Sequence, residues 1–251
     1  MSRVIGILNY KGGTGKTTTV VNLAVGLVLR GARVLCIDLD AQGNLAMYMG
    51  VRYRYSLTHL LLGRAQPQTC IVHVRDNLSL IASDDSLLQA TGELWRSGDN
   101  RRARRVLVSR MRGVEDNYDF VILDFSPSAS LLSENGLLYA QELIVPVSTR
   151  YMALVGTRQV IQTLKKIGRL PDHRIRLSLI LPTFFHPQWR NDREVMEILR
   201  RYFADKVAEP IRASVKLAEA PSHHKSIFEY APDSYGAIDY GLLVERVMQN
   251  G

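Results

Sequence analysis

Two lysines, three glycines and three threonines are packed into eight residues, Lys11-Gly12-Gly13-Thr14-Gly15-Lys16-Thr17-Thr18. Glycines let backbone N–H groups approach phosphate oxygens with no Cβ in the way. A lysine late in such a loop supplies a point charge toward β- and γ-phosphates, and the hydroxyl after it a ligand for Mg²⁺. Lys16 and Thr17 stand at those places. The bland alternative, an ordinary glycine-rich strand-to-helix turn, does not account for two lysines and a threonine pair at these offsets. Carboxylates suited to the same chemistry end two apolar runs. Asp38 and Asp40 close Arg33-Val34-Leu35-Cys36-Ile37-Asp38-Leu39-Asp40, and Asp124 closes Tyr118-Asp119-Phe120-Val121-Ile122-Leu123-Asp124.

These groups need elements to hold them. Val4 to Leu8 is a short apolar strand ahead of the loop, and Thr18 to Leu29 reads as a helix behind it. Strand, glycine-rich turn and helix in that order form the setting of a phosphate-binding loop, with the helix N-terminus adding free N–H groups. In open α/β sheets the carboxyl ends of the strands form the ligand edge. The runs ending in Asp40 and Asp124 read as buried parallel strands, the second in a Walker B arrangement with Asp124 on Mg²⁺. Further strands are expected at Leu78–Ile81, Leu143–Val147 and Leu177–Leu181. Helices are expected at Ser56–Leu62, Asp192–Phe203 and Gly241–Met248, the last stopping three residues short of the end. The whole is expected to be one α/β domain spanning residues 1–251, with a doubly wound, mostly parallel sheet flanked by helices.

The ordinary P-loop, G-x-x-x-x-G-K-[ST], would have glycine at position 10, where this chain has Tyr10, and it adds a lysine at the front, Lys11. On K-G-G-x-G-K-T-T, present without a mismatch, the chain resembles the ParA/MinD group of deviant Walker ATPases. The resemblance implies ATP and Mg²⁺ as cofactors, bound by Lys11 through Thr18, with Lys11 reaching a partner subunit's phosphates in an ATP-bridged homodimer. Asp38-Leu39-Asp40-Ala41-Gln42-Gly43-Asn44 is similar to the family's D-x-D-P-Q-G-N, with alanine for proline. It implies that Asp40 positions the attacking water and that Asp38 supports the Mg²⁺ shell alongside Thr17 and Asp124. Ser126 stands where close members carry the first of two prolines, and Tyr151-Met152-Ala153-Leu154, before a helix over about 155–167, matches a segment near the dimer interface. Val215 to His223 resembles R-L-S-E-A-P-S-H, which implies adenine contacts nearby at Pro210 and Ile211. His223 and His224 read as a polar loop, since no ligand partner stands at metal spacing.

The chain has 251 residues, an apolar content of 46% and a net charge of +8. No apolar run reaches the roughly 18 residues that would span a bilayer. Met1 runs almost directly into a strand, so neither a signal peptide nor an N-terminal helix-turn-helix arm is expected. A metabolic enzyme on this scaffold, nitrogenase-reductase-like or ligase-type, is a further alternative; Cys36 and Cys70 suggest no disulfide framework or cluster, which disfavours the first of these. A cytoplasmic, nucleoid-associated protein is expected. The charge favours a polyanionic partner. Arg190, Arg193, Arg200 and Arg201, with Lys216 and Lys225, form the candidate surface for non-specific double-stranded DNA, set against the plain reading of a solvated helix face. Arg101, Arg102, Arg104, Arg105, Arg110 and Arg112 read as a second amphipathic helix with a solvated basic face, with a DNA or partner surface as the alternative there. The resemblance further implies a ParB-like or cargo-adaptor protein that stimulates hydrolysis, to segregate a plasmid or chromosome or position a cargo such as a carboxysome. A MinD-like membrane-surface ATPase is the alternative. Its short basic amphipathic C-terminal helix is not matched by Leu242–Met248, with one Arg and one Glu, and no membrane partner is expected.

Overall fold

The computed structural model describes residues 2–96, 98–150, 162, 165 and 175–249. Eight strands join one sheet: β1 (Arg3–Ile7), β2 (Val34–Asp38), β3 (Ile71–Arg75), β4 (Leu78–Ile81), β5 (Phe120–Asp124), β6 (Glu142–Ser148), β7 (Arg176–Phe185) and β8 (Ile211–Arg212). Their order is β3-β4-β2-β5-β1-β6-β7-β8. Every pairing is parallel except the edge hairpin β3–β4. The chain steps from β1 to β2 on one side and, after β5, crosses β1 to reach β6 on the other, which puts a topological switch point at the end of β1.

Alternation along each central strand buries both faces. Val4, Leu35, Ile37, Val121 and Leu123 enter one core. Ile5, Ile7, Val34, Cys36 and Ile122 enter the other. A sheet covered on both sides reads as a near-continuous apolar run, and that is why these strands were visible in the sequence. The helix Lys16–Leu29 covers the second face and packs against the C-terminal helix Tyr235–Gln249. A Cβ on Gly26 would lie 2.4 Å from Val244 Cγ2, so only glycine allows these two helices to come so close.

Several boundaries differ from expectation. The P-loop helix begins at Lys16, the C-terminal helix at Tyr235 and the arginine helix at Arg190. The expected continuous helix over residues 101–112 is two short ones, Asn100–Ala103 and Val106–Met111. Ala103, Val106, Leu107 and Met111 are all buried. The buried Asn135 side chain accepts from Leu107 N at 3.0 Å and donates to the Ala103 carbonyl at 2.9 Å, meeting backbone groups freed at the break. The segment Tyr151–Leu154 and most of the helix expected after it lie outside the described residues.

Candidate functional site

The loop after β1 is fixed at its entry by Asn9, a buried side chain at the strand end. Its amide nitrogen donates to the Pro146 carbonyl on β6 at 2.6 Å, and its oxygen accepts from Lys11 N at 2.9 Å. Gly13 and Gly15 have φ of 69° and 85°, where a side chain would be strained. No atom stands within 4 Å of a Cβ built on Gly12 or Gly13, so this stretch of loop is open. On its far side, Thr183 of β7 donates its hydroxyl to the Thr14 carbonyl at 3.0 Å. Asn9 and Thr183 hold the loop from two strands, and sequence reasoning passed over both. A polar residue ending an apolar strand was the available signal for each.

Lys16 is buried, and its ammonium donates to the Lys11 carbonyl at 3.2 Å. Burial lowers its pKa, opposed by the Asp124 and Asp40 carboxylates. Lys11 is half-buried at the mouth of the loop.

Asp38 and Asp124 face each other in register across β2 and β5, both buried. Burial drives both carboxyl pKa values up, and mutual repulsion adds to the rise of Asp38. Their surroundings then diverge. Asp38 accepts from Asp40 N at 2.9 Å with one oxygen and from Leu45 N at 3.2 Å with the other. It therefore organises the turn that carries Asp40. Neither oxygen of Asp124 has a hydrogen-bond partner of good geometry among the described residues. Only the approach of the Thr17 hydroxyl and the Lys16 charge favour its ionised form. A buried carboxylate without full partners, beside a hydroxyl, fits a bound divalent cation, since an isolated ion there would be costly.

Asp40 is half-buried at the edge of this cluster, its carboxylate accepting from Gln42 N at 3.1 Å. The turn is closed by Ser83, whose hydroxyl donates to the Asp40 carbonyl. Gly43 has φ 63°, and a Cβ there would stand 2.6 Å from the Ser83 carbonyl oxygen. Ala41, in place of proline, packs against the core. After Asp124, Phe125 is fully buried in space left by two glycines. A Cβ on Gly6 would lie 2.7 Å from its ring, and one on Gly136 equally close.

Beside the start of the P-loop helix is a largely apolar cavity of about 120 Å³. Gly15, Thr18, Phe184, Ile211, Leu217 and Tyr240 are among its walls. Of the two residues expected near the adenine, Ile211 lines this cavity and Pro210 does not. Phe184 and Leu217 are wall residues that sequence reasoning did not name. Phe184 has φ 57°, a strained conformation for a bulky residue that turns it in beside Gly15.

The six candidate DNA residues are all exposed, but they do not form one uncompensated patch. Arg190, Arg193, Arg200 and Arg201 share one stripe of the helix Arg190–Phe203 by their spacing, with Glu194 and Glu197 among them. Arg190 pairs with Glu194 at 2.8 Å and Lys216 with Glu219 at 3.1 Å. Arg200 lies 3.9 Å from Glu209, and Arg193 donates to the Pro187 carbonyl. Trp189 caps the helix, half exposed and stacked on His186 at 3.9 Å. His224 bonds the Met47 carbonyl through Nδ1 at 2.8 Å, and His223 stacks on Tyr230. Leu243, Val244 and Val247 of the C-terminal helix are buried, and no helix among the described residues is long and apolar enough to cross a membrane.

Comparison with known proteins agrees with this geometry. An AAA domain model matches residues 2–177. A chromosome-partitioning ATPase Soj of Thermus thermophilus is 40% identical over 247 residues, covering 98% of this chain and 95% of that protein. The sporulation initiation inhibitor protein Soj of Bacillus subtilis is 34% identical with both chains fully covered. Among solved structures, cobyrinic acid a,c-diamide synthase of Mycobacterium smegmatis with ADP and magnesium superposes with a TM-score of 0.84 at 27% identity, covering 99% of this chain and 95% of that one. The septum site-determining protein MinD of Pyrococcus horikoshii with Mg-ADP gives 0.80 at 25%, covering 98% and 96%. With its front lysine, its buried carboxylate pair and full-length similarity to these relatives, the chain belongs to the ParA/Soj family of partitioning ATPases.

Proposed function

We propose that this chain is a partitioning or positioning ATPase that dimerises around ATP, binds DNA non-specifically and hydrolyses ATP when a ParB-like or cargo-adaptor protein stimulates it. ATP and Mg²⁺ are its cofactors. The observation that carries the reading is the cluster of Lys16, Asp124 and Asp38 at the ends of neighbouring strands, with a second lysine at the mouth of the same loop. The Soj relatives, named for chromosome partitioning, support the cellular role.

The loop N–H groups and Lys16 bind the phosphates, and the adenine lies in the cavity walled by Ile211, Phe184 and Leu217. Thr17 and Asp124 hold Mg²⁺, which supplies charge neutralisation at the transferring phosphoryl group when bound. Asp38 fixes the backbone that presents Asp40, and Asp40 orients the water for in-line attack. Its half-exposed position leaves it open to that water. Positioning and electrostatics carry such a reaction without a covalent intermediate. Lys11, contributed by the second subunit, adds a contact that ATP offers and ADP does not, which makes the dimer specific to ATP.

A mobility-shift titration on long duplex DNA tests the coupling. Tight binding is expected with ATP and little with ADP, because the dimer doubles the number of phosphate contacts. Equal binding in both nucleotide states, or none at low salt, overturns the DNA-tethered reading.

A further inference from the structure

The arginine-rich segment that the nucleotide site leaves unused forms a groove. Two cavities of about 430 and 350 Å³ adjoin along Asn100–Ala103 and Val106–Met111, sharing Asp99, Arg102, Val106 and Arg110 in their walls. The first cavity adds Arg101 and Arg105, and the second an apolar floor that includes Leu61 and Leu94. Arg101, Arg102 and Arg110 form no ion pair among the described residues, whereas the groove's own carboxylates are engaged. Asp99 caps the first helix by accepting from Arg102 N at 2.9 Å, and Glu93 pairs with Arg64 at 2.9 Å. The walls are preformed: the two Asn135 bonds join the short helices to the helix Leu131–Tyr139, and Arg104 ties to Glu134 at 3.0 Å.

Unpaired guanidiniums over an apolar floor select a ligand that brings carboxylates and a hydrocarbon group together. Guanidinium forks match carboxylates in bidentate geometry, and a rigid receptor spares the ordering cost of binding. Non-specific contacts to duplex DNA run through its phosphates, which bring no hydrocarbon group to set over Leu61, Leu94 and Val106. We propose that this groove docks an acidic segment of a partner protein. Its carboxylates pair with Arg101, Arg102 and Arg110, and an apolar side chain fills the floor. The charge complementarity steers such a segment to this face, away from the nucleotide edge. The inference stands apart from the proposed function, because it uses neither Lys11 nor any of the six candidate DNA residues.

Fluorescence anisotropy on the full chain tests it, with a labelled peptide of repeated Glu-Glu-Leu as the probe. Saturable binding is expected. The double variant Arg101→Glu/Arg102→Glu should weaken it at least tenfold, about 1.4 kcal/mol, with ATP turnover and melting temperature unchanged. An all-glutamate peptide of equal length should bind several-fold more weakly, and Arg200→Ala/Arg201→Ala should leave binding as it was. Two results overturn the proposal: equal peptide binding by the charge-reversed variant, or long duplex DNA bound in its place with the same dependence on Arg101 and Arg102.

Discussion

The nucleotide edge and the arginine helix draw on the same charged residue types under opposite conditions. At the nucleotide edge, Lys16, Asp38 and Asp124 are withdrawn from water, Lys16 at the start of the P-loop helix and the two carboxylates at the ends of adjacent strands. On Arg190–Phe203 the charges other than the buried Asp192 stand in solvent, and several are paired with opposite charges. Interaction energies scale inversely with the effective dielectric constant, so a buried charge is worth far more than an exposed one. Changes in the first region are therefore expected to act through a few groups, and changes on the helix through a sum of small contributions. That difference ranks the expected effects of changing each.

The largest effect belongs to Asp40. Asp40→Ala should slow turnover roughly 10²–10⁴-fold, the usual span for a positioned acid–base or water-orienting group. Nucleotide binding should persist, because Asp38 and the loop remain. Phosphate release together with nucleotide affinity measures both, and wild-type turnover would remove Asp40 from the reaction. Lys11→Ala should keep nucleotide binding and lose the ATP dimer, to be read by sedimentation velocity with a non-hydrolysable analogue. Lys16→Ala should weaken nucleotide binding itself. A dimer that survives in Lys11→Ala would sink the trans role.

Asp124 separates the two buried carboxylates. Its folded pKa stands above the ordinary carboxylate value, so between about pH 4, the unfolded value, and the raised folded value the native state binds more protons than the unfolded chain. Stability of the nucleotide-free protein should therefore fall as pH rises through that window. Asp124→Asn should flatten the fall and raise the melting temperature of the Mg²⁺-free protein near neutral pH, while abolishing stabilisation by Mg²⁺ with ADP. Asp38→Asn should not reproduce this gain, because its two oxygens serve two backbone donors and an amide can accept through only one. Thermal melts across pH with and without Mg²⁺ compare the two variants directly.

A smaller effect is expected at Thr183. Thr183→Val keeps the shape and leaves the Thr14 carbonyl without its buried donor, which costs about 1–3 kcal/mol. Urea unfolding should show that loss, accompanied by weaker nucleotide binding. A neutral result would mean that Asn9 alone suffices to hold the loop.

What the sequence disclosed follows the same division. Lys11 to Thr18, Asp38, Asp40 and Asp124 were legible because backbone chemistry fixes their spacing, and buried parallel strands announce themselves as apolar runs. Phe184 was not, since it reaches the site from a strand remote in sequence and carries no local pattern. The signals at Thr183 and Leu217, a polar residue in an apolar strand and a place in the motif over residues 215–223, did not by themselves point to the loop or the cavity. Of the expected adenine contacts, Ile211 lines the cavity beside the loop and Pro210 stands outside its wall. The break at residues 104–105 was hidden as well, because apolar spacing ran on across it and the side chain that closes it, Asn135, belongs to another helix. Charge pairing is equally invisible in one dimension. Glu209 approaches Arg200 only after the chain has turned through a 3₁₀ segment.

The smallest predicted change tests the arginine helix. On duplex DNA, the logarithm of affinity falls with the logarithm of salt by about 0.9 for each phosphate neutralised. Arg201 forms no ion pair among the described residues, and Arg200 is only loosely paired, at 3.9 Å from Glu209. Each is therefore available to displace a counterion. Removing both should lower the slope by up to about 1.8 per subunit, and roughly equally on any sequence, since phosphate contacts carry no base information. Arg190 is held by Glu194 at 2.8 Å, so Arg190→Ala should alter the slope less than Arg201→Ala. Salt titrations of the ATP-bound protein on two unrelated duplexes give both numbers. If Arg190→Ala lowers the slope as much as Arg201→Ala, internal pairing does not rank these arginines, and the DNA path crosses the start of the helix instead of its end.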